Sequence, residues 1–312
     1  MSTLSNNNFS KIPILIIAFN RPKYIDRLIK KIEIVRPEKL YIAIDGPREN
    51  NNNDKYLCDE VKSIFEKKVN WKCNIKKKYE KTNLGTKEAV YSAIRWLFDN
   101  EEMGIILEDD IDPDFSFFKF SEELLLKYKH SSKIKMISGN NYFSDNKLIS
   151  ESYYFSQTPA THGWATWKRT WDEMDIKMLN WNKNKKFIFI LLLFNFNLTR
   201  AHYFFKRFEL SYKNLIDSWD YQFFYSIIIK KGFIIKPKRN LCKHIGWGPD
   251  STRGKGPDDF PEIKREQINF PLSHPKKIYV NYKIDKMEDI KVRKLSFFNY
   301  FLYLLKKKLF KN

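Results

Sequence analysis

The chain has 312 residues, of which 43% are hydrophobic, and its formal net charge is +20. This length and composition allow a substantial core to be buried, so we expect a folded globular protein with one large domain or two small ones. The positive charge is compatible with nucleic acid, with an anionic membrane surface or with a negatively charged small molecule, and it does not choose among them.

The cysteines and the apolar runs indicate the cellular compartment of the protein. Cys58, Cys73 and Cys242 are widely spaced and form no CxxC pair, which indicates neither a zinc site nor a redox centre and fits a reducing compartment. The longest apolar run, residues 187–194, is much shorter than the roughly 20 residues that span a bilayer. We therefore expect a cytoplasmic protein that is not an integral membrane protein.

Apolar runs of strand length alternate with helical patterns through the first half of the chain. The predicted strands are residues 12–19, 40–44, 71–79, 104–107 and 134–137, and the predicted helices include residues 87–98 and 115–128. This alternation predicts an α/β fold whose mainly parallel sheet carries helices on both faces. Ligands of such sheets bind beyond the carboxyl ends of the strands, so the residues directly after each strand are candidates for a site.

Acidic residues cluster after the fourth predicted strand. Glu108, Asp109 and Asp110 follow it directly, and Asp112 and Asp114 come shortly afterwards. Adjacent carboxylates at the end of a buried strand repel one another unless a cation or a hydrogen-bond network compensates their charge. Mn²⁺ or Mg²⁺ suits this position because it accepts carboxylate oxygens and keeps places for water and phosphate. The alternative is a solvated acidic turn in which Asp114 caps the next helix.

Several short motifs carry a family resemblance. Residues 14–22 (ILIIAFNRP), 45–46 (DG), 83–85 (NLG) and 106–115 (ILEDDIDPDF) occur in this order in the first half. They resemble the donor half of the GT-A glycosyltransferases, and in particular the inverting N-acetylglucosaminyltransferase I family. In the second half, residues 163–167 (GWATW), 219–222 (WDYQ) and 240–252 (NLCKHIGWGPDST) are similar to bacterial glycosyltransferases with the same donor half. The resemblance covers roughly residues 12–252 and implies the GT-A (nucleotide-diphospho-sugar transferase, Rossmann-like) fold.

The resemblance implies roles for five residues in binding a nucleotide-sugar donor, with a UDP-sugar favoured. Arg21 would lie near the nucleotide phosphates, and Asp45 would bind the uracil-like base. Glu108 and Asp109 would contact the sugar or the ribose, and Asp110 would ligate Mn²⁺ or Mg²⁺. A loop arginine at the carboxyl end of a strand is suited to phosphate on chemical grounds as well, although Arg21 could equally be a surface residue before a helix.

Three further residues belong to the predicted donor site. Gly85 follows a strand, and Ser251 and Thr252 lie in a stretch where four glycines fall between residues 246 and 256. Glycine permits close backbone approach, so this stretch could fold over a ligand or could be an ordinary surface loop. The resemblance implies that Ser251 and Thr252 close over the diphosphate.

The predicted catalytic base is Asp220. In the family that the chain resembles, the base directly follows a tryptophan, as Asp220 follows Trp219 here. Tyr221 stands where the family often has a second acidic residue. Partly apolar surroundings raise the pKa of a carboxyl group and make it a better base. The alternative is a helix cap, and Asp217 competes with Asp220 for either role.

Aromatic residues supply the predicted acceptor contacts. Sugars stack their C–H faces on aromatic rings, so Trp164, next to Gly163, and Trp219 are predicted to contact the acceptor, although tryptophans are more commonly core residues. His162 and His244 could ligate a metal, although an isolated histidine is more commonly structural.

We expect residues 1–282 to form a single domain, with a donor half at about 11–140 and an acceptor half at about 141–282, followed by a basic amphipathic tail at 283–312. Residues 291–312 carry seven basic and no acidic residues around an apolar stretch. This composition predicts a helix at an anionic membrane surface, which would place the protein peripherally on the inner face of the cell membrane. The alternative is a helix docked on the protein body.

Together these inferences predict a metal-dependent, inverting glycosyltransferase that acts on a hydroxyl of a bacterial surface glycan or a lipid-linked saccharide. A sugar nucleotidyltransferase is one alternative, but it would need a glycine-rich loop where Asn20-Arg21-Pro22 stands. A nucleic-acid-binding protein is the other, suggested by the charge of +20. No recognised nucleic-acid-binding module occurs in the sequence, so we expect no nucleic-acid partner.

Overall fold

The computed structural model describes residues 10–142, 146–246 and 263–295. The strands within these residues are β1 (Ile14–Ala18), β2 (Lys39–Ile44), β3 (Asn74–Tyr79), β4 (Met103–Glu108), β5 (Ile111–Pro113), β6 (Ile134–Ser138), β7 (Tyr153–Ser156), β8 (Trp164–Trp167), β9 (Phe233–Pro237) and β10 (Cys242–His244). The helices are α1 (Pro22–Val35), α2 (Asn52–Lys68), α3 (Gly85–Phe98), α4 (Phe115–Lys127), α5 (Lys168–Trp171), α6 (Trp181–Asn184), α7 (Phe187–Leu193), α8 (Leu198–Tyr212), α9 (Asp220–Ile229) and α10 (Tyr282–Lys291).

Eight strands form the central sheet, in the order β3-β2-β1-β4-β8-β6-β9-β7. β3, β2, β1 and β4 are parallel to one another, and β6 is parallel to β9. β8 is antiparallel to both β4 and β6, and β7 is antiparallel to β9. Six strands therefore run one way and two the other, which confirms the predicted mainly parallel sheet.

Alternate residues of β1 enter two different cores, because successive side chains of a strand point to opposite faces. Ile14 and Ile16 pack with apolar residues of α1, α2 and α4. Leu15 and Ile17 pack with residues of α3 on the other face. The prediction of helices on both faces of the sheet is confirmed.

Two helix starts have local causes that the sequence displays. Pro22 occupies the first turn of α1, where a missing N–H costs nothing. Asp114 caps α4 by accepting the backbone N–H of Ser116 at 2.9 Å. The cap considered for Asp114 in the sequence analysis is therefore confirmed.

The sequence analysis misses β8, which lies in the middle of the sheet between β4 and β6. All four residues of Trp164–Trp167 are buried, so this short strand lacks the alternation of polar and apolar residues that marks a strand with one wet face. Because β8 separates β4 from β6, strands of the predicted donor and acceptor halves alternate within one sheet.

Helix α10 docks on the body through a buried network of charges. Lys236 Nζ lies 2.6 Å from Glu288 Oε2, and both side chains are fully buried. Arg200 and Arg293 both pair with Asp289, at 3.3 and 3.0 Å. The predicted tail boundary at residue 283 thus falls inside a packed helix, and the tail from residue 296 onward lies outside the described residues. In the part of the chain that is described, no helix is long and apolar enough to cross a bilayer.

Candidate functional site

A cavity of about 750 Å³ opens at the carboxyl ends of β1, β2 and β4. These strands are adjacent and parallel, so the residues that follow them meet at one edge of the sheet. The structure brings six of the predicted donor and metal residues together on the cavity wall: Arg21, Asp45, Gly85, Glu108, Asp109 and Asp110.

Arg21 holds the two buried aspartates that follow β4. Its Nε donates to Asp109 Oδ2 at 3.2 Å, its Nη1 donates to Asp110 Oδ2 at 3.0 Å, and its Nη2 donates to Asp109 Oδ1. Asp109 is 2% exposed and Asp110 is 9% exposed. The charge compensation that the sequence analysis assigns to a metal ion is therefore supplied here by a guanidinium.

The pKa values of the two aspartates move in opposite directions. Burial raises the pKa of Asp109, the charge of Arg21 opposes this rise, and the neighbouring Asp110 adds to it. Burial also acts to raise the pKa of Asp110, but a hydrogen bond from His244 and the charge of Arg21 outweigh burial and hold this pKa well below its usual range. The surroundings therefore favour the ionised form of Asp110 more than that of Asp109.

Asp45 is fixed by the loop that precedes α3. Its Oδ2 accepts from Asn83 Nδ2 at 2.9 Å, and its Oδ1 accepts the backbone N–H groups of Gly46 and Leu84, both at 2.9 Å. Gly85 begins α3 with a φ of +78°, a conformation that favours glycine. Each carboxylate oxygen can accept about two hydrogen bonds, so Oδ1 is already satisfied and Oδ2 can accept one more from a ligand.

A second arginine, Arg48, lines the cavity and is not among the residues predicted from the sequence. Its Nε donates to Asp54 Oδ2 at 2.6 Å, and Asn20 Nδ2 donates to the other oxygen of Asp54 at 2.8 Å. The guanidinium carbon lies 5.4 Å from the ring centroid of Phe19. Arg48 follows β2 closely, as Arg21 follows β1, so the same positional argument could have found it.

Two histidines lie beside Asp110. His244 Nε2 is 3.3 Å from Asp110 Oδ2, and the rings of His244 and His162 have centroids 4.6 Å apart. His162 Nδ1 and the Tyr142 hydroxyl are hydrogen-bonded at 2.6 Å. The pairing of β10 with β5 causes this arrangement, because it places His244 opposite Ile111, the residue after Asp110.

Asp110 is the predicted ligand of a divalent cation, and its Oδ2 lies 3.0 Å from Arg21 Nη1 and 3.3 Å from His244 Nε2. Within residues 10–142, 146–246 and 263–295, no group of three or more His, Cys, Asp or Glu side chains is arranged to hold a metal ion. Mg²⁺ bound with a phosphate ligand commonly uses only one or two carboxylates, and water and phosphate oxygens complete its shell. Asp110 lines the cavity, and its role as a metal ligand stays a prediction.

Asp220 begins α9, and its Oδ1 accepts the backbone N–H of Tyr221 at 3.1 Å. A carboxylate in the first turn is favoured by the helix dipole. Among the described residues that line the cavity, Asp217 is present and Asp220 is not. Asp217 Oδ1 accepts the backbone N–H of Lys87 at 3.3 Å, at the start of α3. The assignment of the base to Asp220 stays a prediction, with Asp217 as its rival.

Trp164 and Trp219 are core residues. Trp164 is fully buried and Trp219 is 2% exposed. Their rings stack with centroids 5.5 Å apart, and Trp171 packs beside Trp164. A sugar stacks only on an exposed ring face, so this burial counts against the acceptor role predicted for both residues.

Two predicted donor residues, Ser251 and Thr252, fall outside the described residues. Their predicted role over the diphosphate therefore remains an expectation from the resemblance.

No protein-family model matches the chain, and no curated protein matches it. Among solved structures, it is similar to mannose-1-phosphate geranyltransferase from Thermus thermophilus, with 11% identity, a TM-score of 0.34 and coverage of 73% of this chain and 74% of that one. It is also similar to a UDP-glucose pyrophosphorylase complexed with UDP-glucose (11% identity, TM-score 0.31, coverage 52% and 78%). It is similar as well to HddC from Yersinia pseudotuberculosis, with 11% identity, a TM-score of 0.32 and coverage of 52% of this chain and 79% of that one. These values are too low to assign a family.

Proposed function

We propose that the protein is a glycosyltransferase that binds a nucleotide-diphosphate sugar in the cavity at the carboxyl ends of β1, β2 and β4. One observation carries the proposal: the donor residues of four separate motifs, all resembling GT-A glycosyltransferases, line a single cavity. A cavity of about 750 Å³ is of the size that small-molecule ligands occupy.

Two arginines would hold the diphosphate. Arg21 and Arg48 both line the cavity, and each donates hydrogen bonds to a buried aspartate. Arg21 donates to Asp109, and Arg48 donates to Asp54. A guanidinium carries five N–H donors in a planar fork that matches phosphate oxygens, so these contacts leave donors for a ligand. Both Asp109 oxygens accept from Arg21. Asp109 would therefore act by positioning Arg21, and Glu108 would contact the ribose or the sugar.

The nucleotide base would lie at Asp45. A carboxylate fixed by backbone and amide donors can accept an N–H from the edge of the base, as the N3–H of uracil would provide. Guanine also presents N–H donors, so a direct comparison of nucleotides is needed to establish the preference for UDP.

Catalysis would need a ligand for the cation and a base that takes the proton of the attacking hydroxyl. Asp110 would supply the carboxylate ligand, and Mn²⁺ or Mg²⁺ bound there would neutralise charge on the departing diphosphate. Asp220 would take the proton from an acceptor hydroxyl of a surface glycan or lipid-linked saccharide. Attack from the face opposite the leaving group would invert the anomeric configuration.

A panel of UDP-, GDP-, dTDP- and CMP-sugars tests this proposal. Each sugar nucleotide is added with and without Mn²⁺, and thermal shift and slow donor hydrolysis are measured. We expect one nucleotide class to raise the melting temperature and to be hydrolysed in a Mn²⁺-dependent manner. Release of pyrophosphate from a nucleoside triphosphate and a sugar 1-phosphate, without donor hydrolysis, would instead identify a nucleotidyltransferase.

A further inference from the structure

Helix α7 exposes large apolar side chains on one side. Ile188 is 56% exposed and Leu192 is 51% exposed, and their spacing of four residues places them next to each other on the helix surface. Phe196, just beyond the helix, is 66% exposed, and its backbone N–H donates to the carbonyl of Leu191 at 2.9 Å. This bond keeps Phe196 against the last turn of α7, so the three exposed side chains lie along one short segment.

The opposite side of α7 packs in the core of the protein. Ile190 and Phe194 are buried in a core with α8 and α9, and the Phe194 ring stacks on Phe204. Phe196 has a φ of +60°, a conformation that bulky residues rarely adopt. This conformation belongs to the turn that ends α7, in which the N–H of Asn195 also donates to the carbonyl of Leu192. The ring itself stays exposed, and exposed apolar groups of this kind mark interaction surfaces.

The segment around α7 is basic. Residues 176–208 contain seven Lys and Arg residues and no Asp or Glu. Lys183, Lys185 and Lys186 directly precede α7, and all three are exposed. Arg200 is buried and is paired with Asp289. The exposed apolar side chains are therefore bordered in sequence by positive charge, which selects an anionic partner.

We propose that this segment, called here the α7 face (Ile188, Leu192 and Phe196 with Lys183, Lys185 and Lys186), docks on the surface of an anionic lipid bilayer. The apolar side chains enter the boundary between headgroups and acyl chains, and the lysines contact anionic headgroups. Each lysine near such a surface contributes about a fivefold gain in affinity. The α7 face is distinct from the predicted C-terminal tail, and the proposal does not depend on the enzymatic activity.

Vesicle co-sedimentation of the full chain tests the proposal. Vesicles of phosphatidylcholine with phosphatidylglycerol are compared with vesicles of phosphatidylcholine alone. The variant Ile188→Ser/Leu192→Ser/Phe196→Ser is expected to lose affinity for the anionic vesicles by roughly tenfold or more, because it removes the buried apolar area. The control Ile34→Ser/Leu126→Ser changes residues of similar exposure on α1 and α4, and it is expected to bind as the wild type does.

The charge contribution is tested by Lys183→Gln/Lys185→Gln/Lys186→Gln. This variant is expected to weaken binding to the anionic vesicles and to reduce its dependence on salt. Wild-type binding that is equal on the two kinds of vesicle would overturn the proposal.

Hydrogen exchange on the wild type locates the contact independently of any variant. Addition of anionic vesicles is expected to slow exchange of the backbone amides of residues 187–198. Absence of vesicle binding, protection confined to other segments, or unchanged binding of the serine variant would each overturn the proposal. A wild-type dimer that the serine variant abolishes, without any lipid effect, would assign the α7 face to a second copy of the chain.

Discussion

Arg21 shows how one side chain can make an acidic cluster compatible with burial. The guanidinium bonds both Asp109 and Asp110, so the acidic cluster is compensated by a residue 88 positions away in sequence from Asp109. A buried charge that loses its partner is costly, whereas an exposed pair contributes little. The buried pair and the surface pairs of this chain should therefore respond very differently to substitution.

Arg21→Met is expected to lower the free energy of unfolding by about 3–5 kcal/mol, because it leaves the buried Asp109 without its cation and Asp110 with His244 alone. Arg95→Met is the matched control, since Arg95 pairs with the half-exposed Asp172 and should change stability by about 1 kcal/mol or less. Urea denaturation of both variants in a chelator-containing buffer measures the difference. Equal stability of the two variants would show that Arg21 does not compensate the cluster.

The pairing of Asp54 with Arg48, the other arginine of the cavity, should make the stability of the protein depend on pH. A hydrogen bond from Arg48 lowers the pKa of Asp54 below its ordinary value. The native state therefore favours the ionised form, which stabilises the protein above the unfolded pKa of about 3.9 and is lost as the pH falls through the folded pKa. Asp54→Asn should cost about 1–3 kcal/mol at neutral pH. This cost should shrink below the unfolded pKa, and a constant cost in denaturation measured across pH would contradict the assignment.

The base assignment has a matched pair of variants in Asp220 and Asp217. Asp220→Asn is expected to reduce kcat by about a hundredfold or more while leaving donor binding intact, as removal of a general base does. Asp217→Asn should reduce donor binding more than kcat, because Asp217 lines the donor cavity. Steady-state kinetics on the donor identified by the panel measure both. Near-normal kcat for Asp220→Asn with a collapse of kcat for Asp217→Asn would transfer the role of base to Asp217.

At the scale of elements, α10 ties the C-terminal part of the described chain to β9 and α8. Lys236 on β9 pairs with Glu288, and Arg200 on α8 pairs with Asp285 and Asp289 of the same helix. Asp285 also accepts from the Ser156 hydroxyl at 2.5 Å. The helix is thus attached by charges that neither water nor salt screens effectively.

Lys236→Met should destabilise the protein by about 3 kcal/mol, because the fully buried Glu288 loses one cation and keeps only Arg293, at 3.2 Å. Lys39→Met, which breaks the partly exposed pair with Glu101, is the control and should cost about 1 kcal/mol or less. Thermal and urea denaturation compare the two. If the cost is the same for both substitutions, the buried network does not stabilise α10.

At the scale of the whole molecule, the sequence predicts one part of the fold well and another poorly. β1, β2 and β4 contain continuous apolar runs, β6 is mostly apolar, and α3 and α4 have helical spacing, so their type and approximate bounds follow from local pattern. The three-residue strand β5 has no such run and is not predicted. The convergence of Arg21, Asp45 and Asp110 then follows from the general geometry of parallel sheets. The fold around the first four parallel strands is accordingly predictable.

Other features depend on contacts between distant residues. β8 is inserted antiparallel between two strands that precede it in sequence, and no local pattern encodes that position. Trp164 and Trp219 have the composition of a sugar-binding platform but pack in the core. No local sequence pattern predicts that Arg21 compensates Asp109 or that Lys236 attaches α10. Each of these contacts joins side chains that are far apart in sequence.

Calorimetric titration of UDP in the presence of Mn²⁺ shows whether the cavity binds a nucleoside diphosphate, and it needs neither acceptor nor turnover. We expect the wild type to bind UDP and Asp45→Asn to bind it more weakly with or without the ion. Asp110→Asn should lose only the Mn²⁺-dependent part of the affinity. If the wild type binds no nucleoside diphosphate, or if both variants bind UDP as the wild type does, the cavity beyond β1, β2 and β4 is not a nucleotide-sugar site.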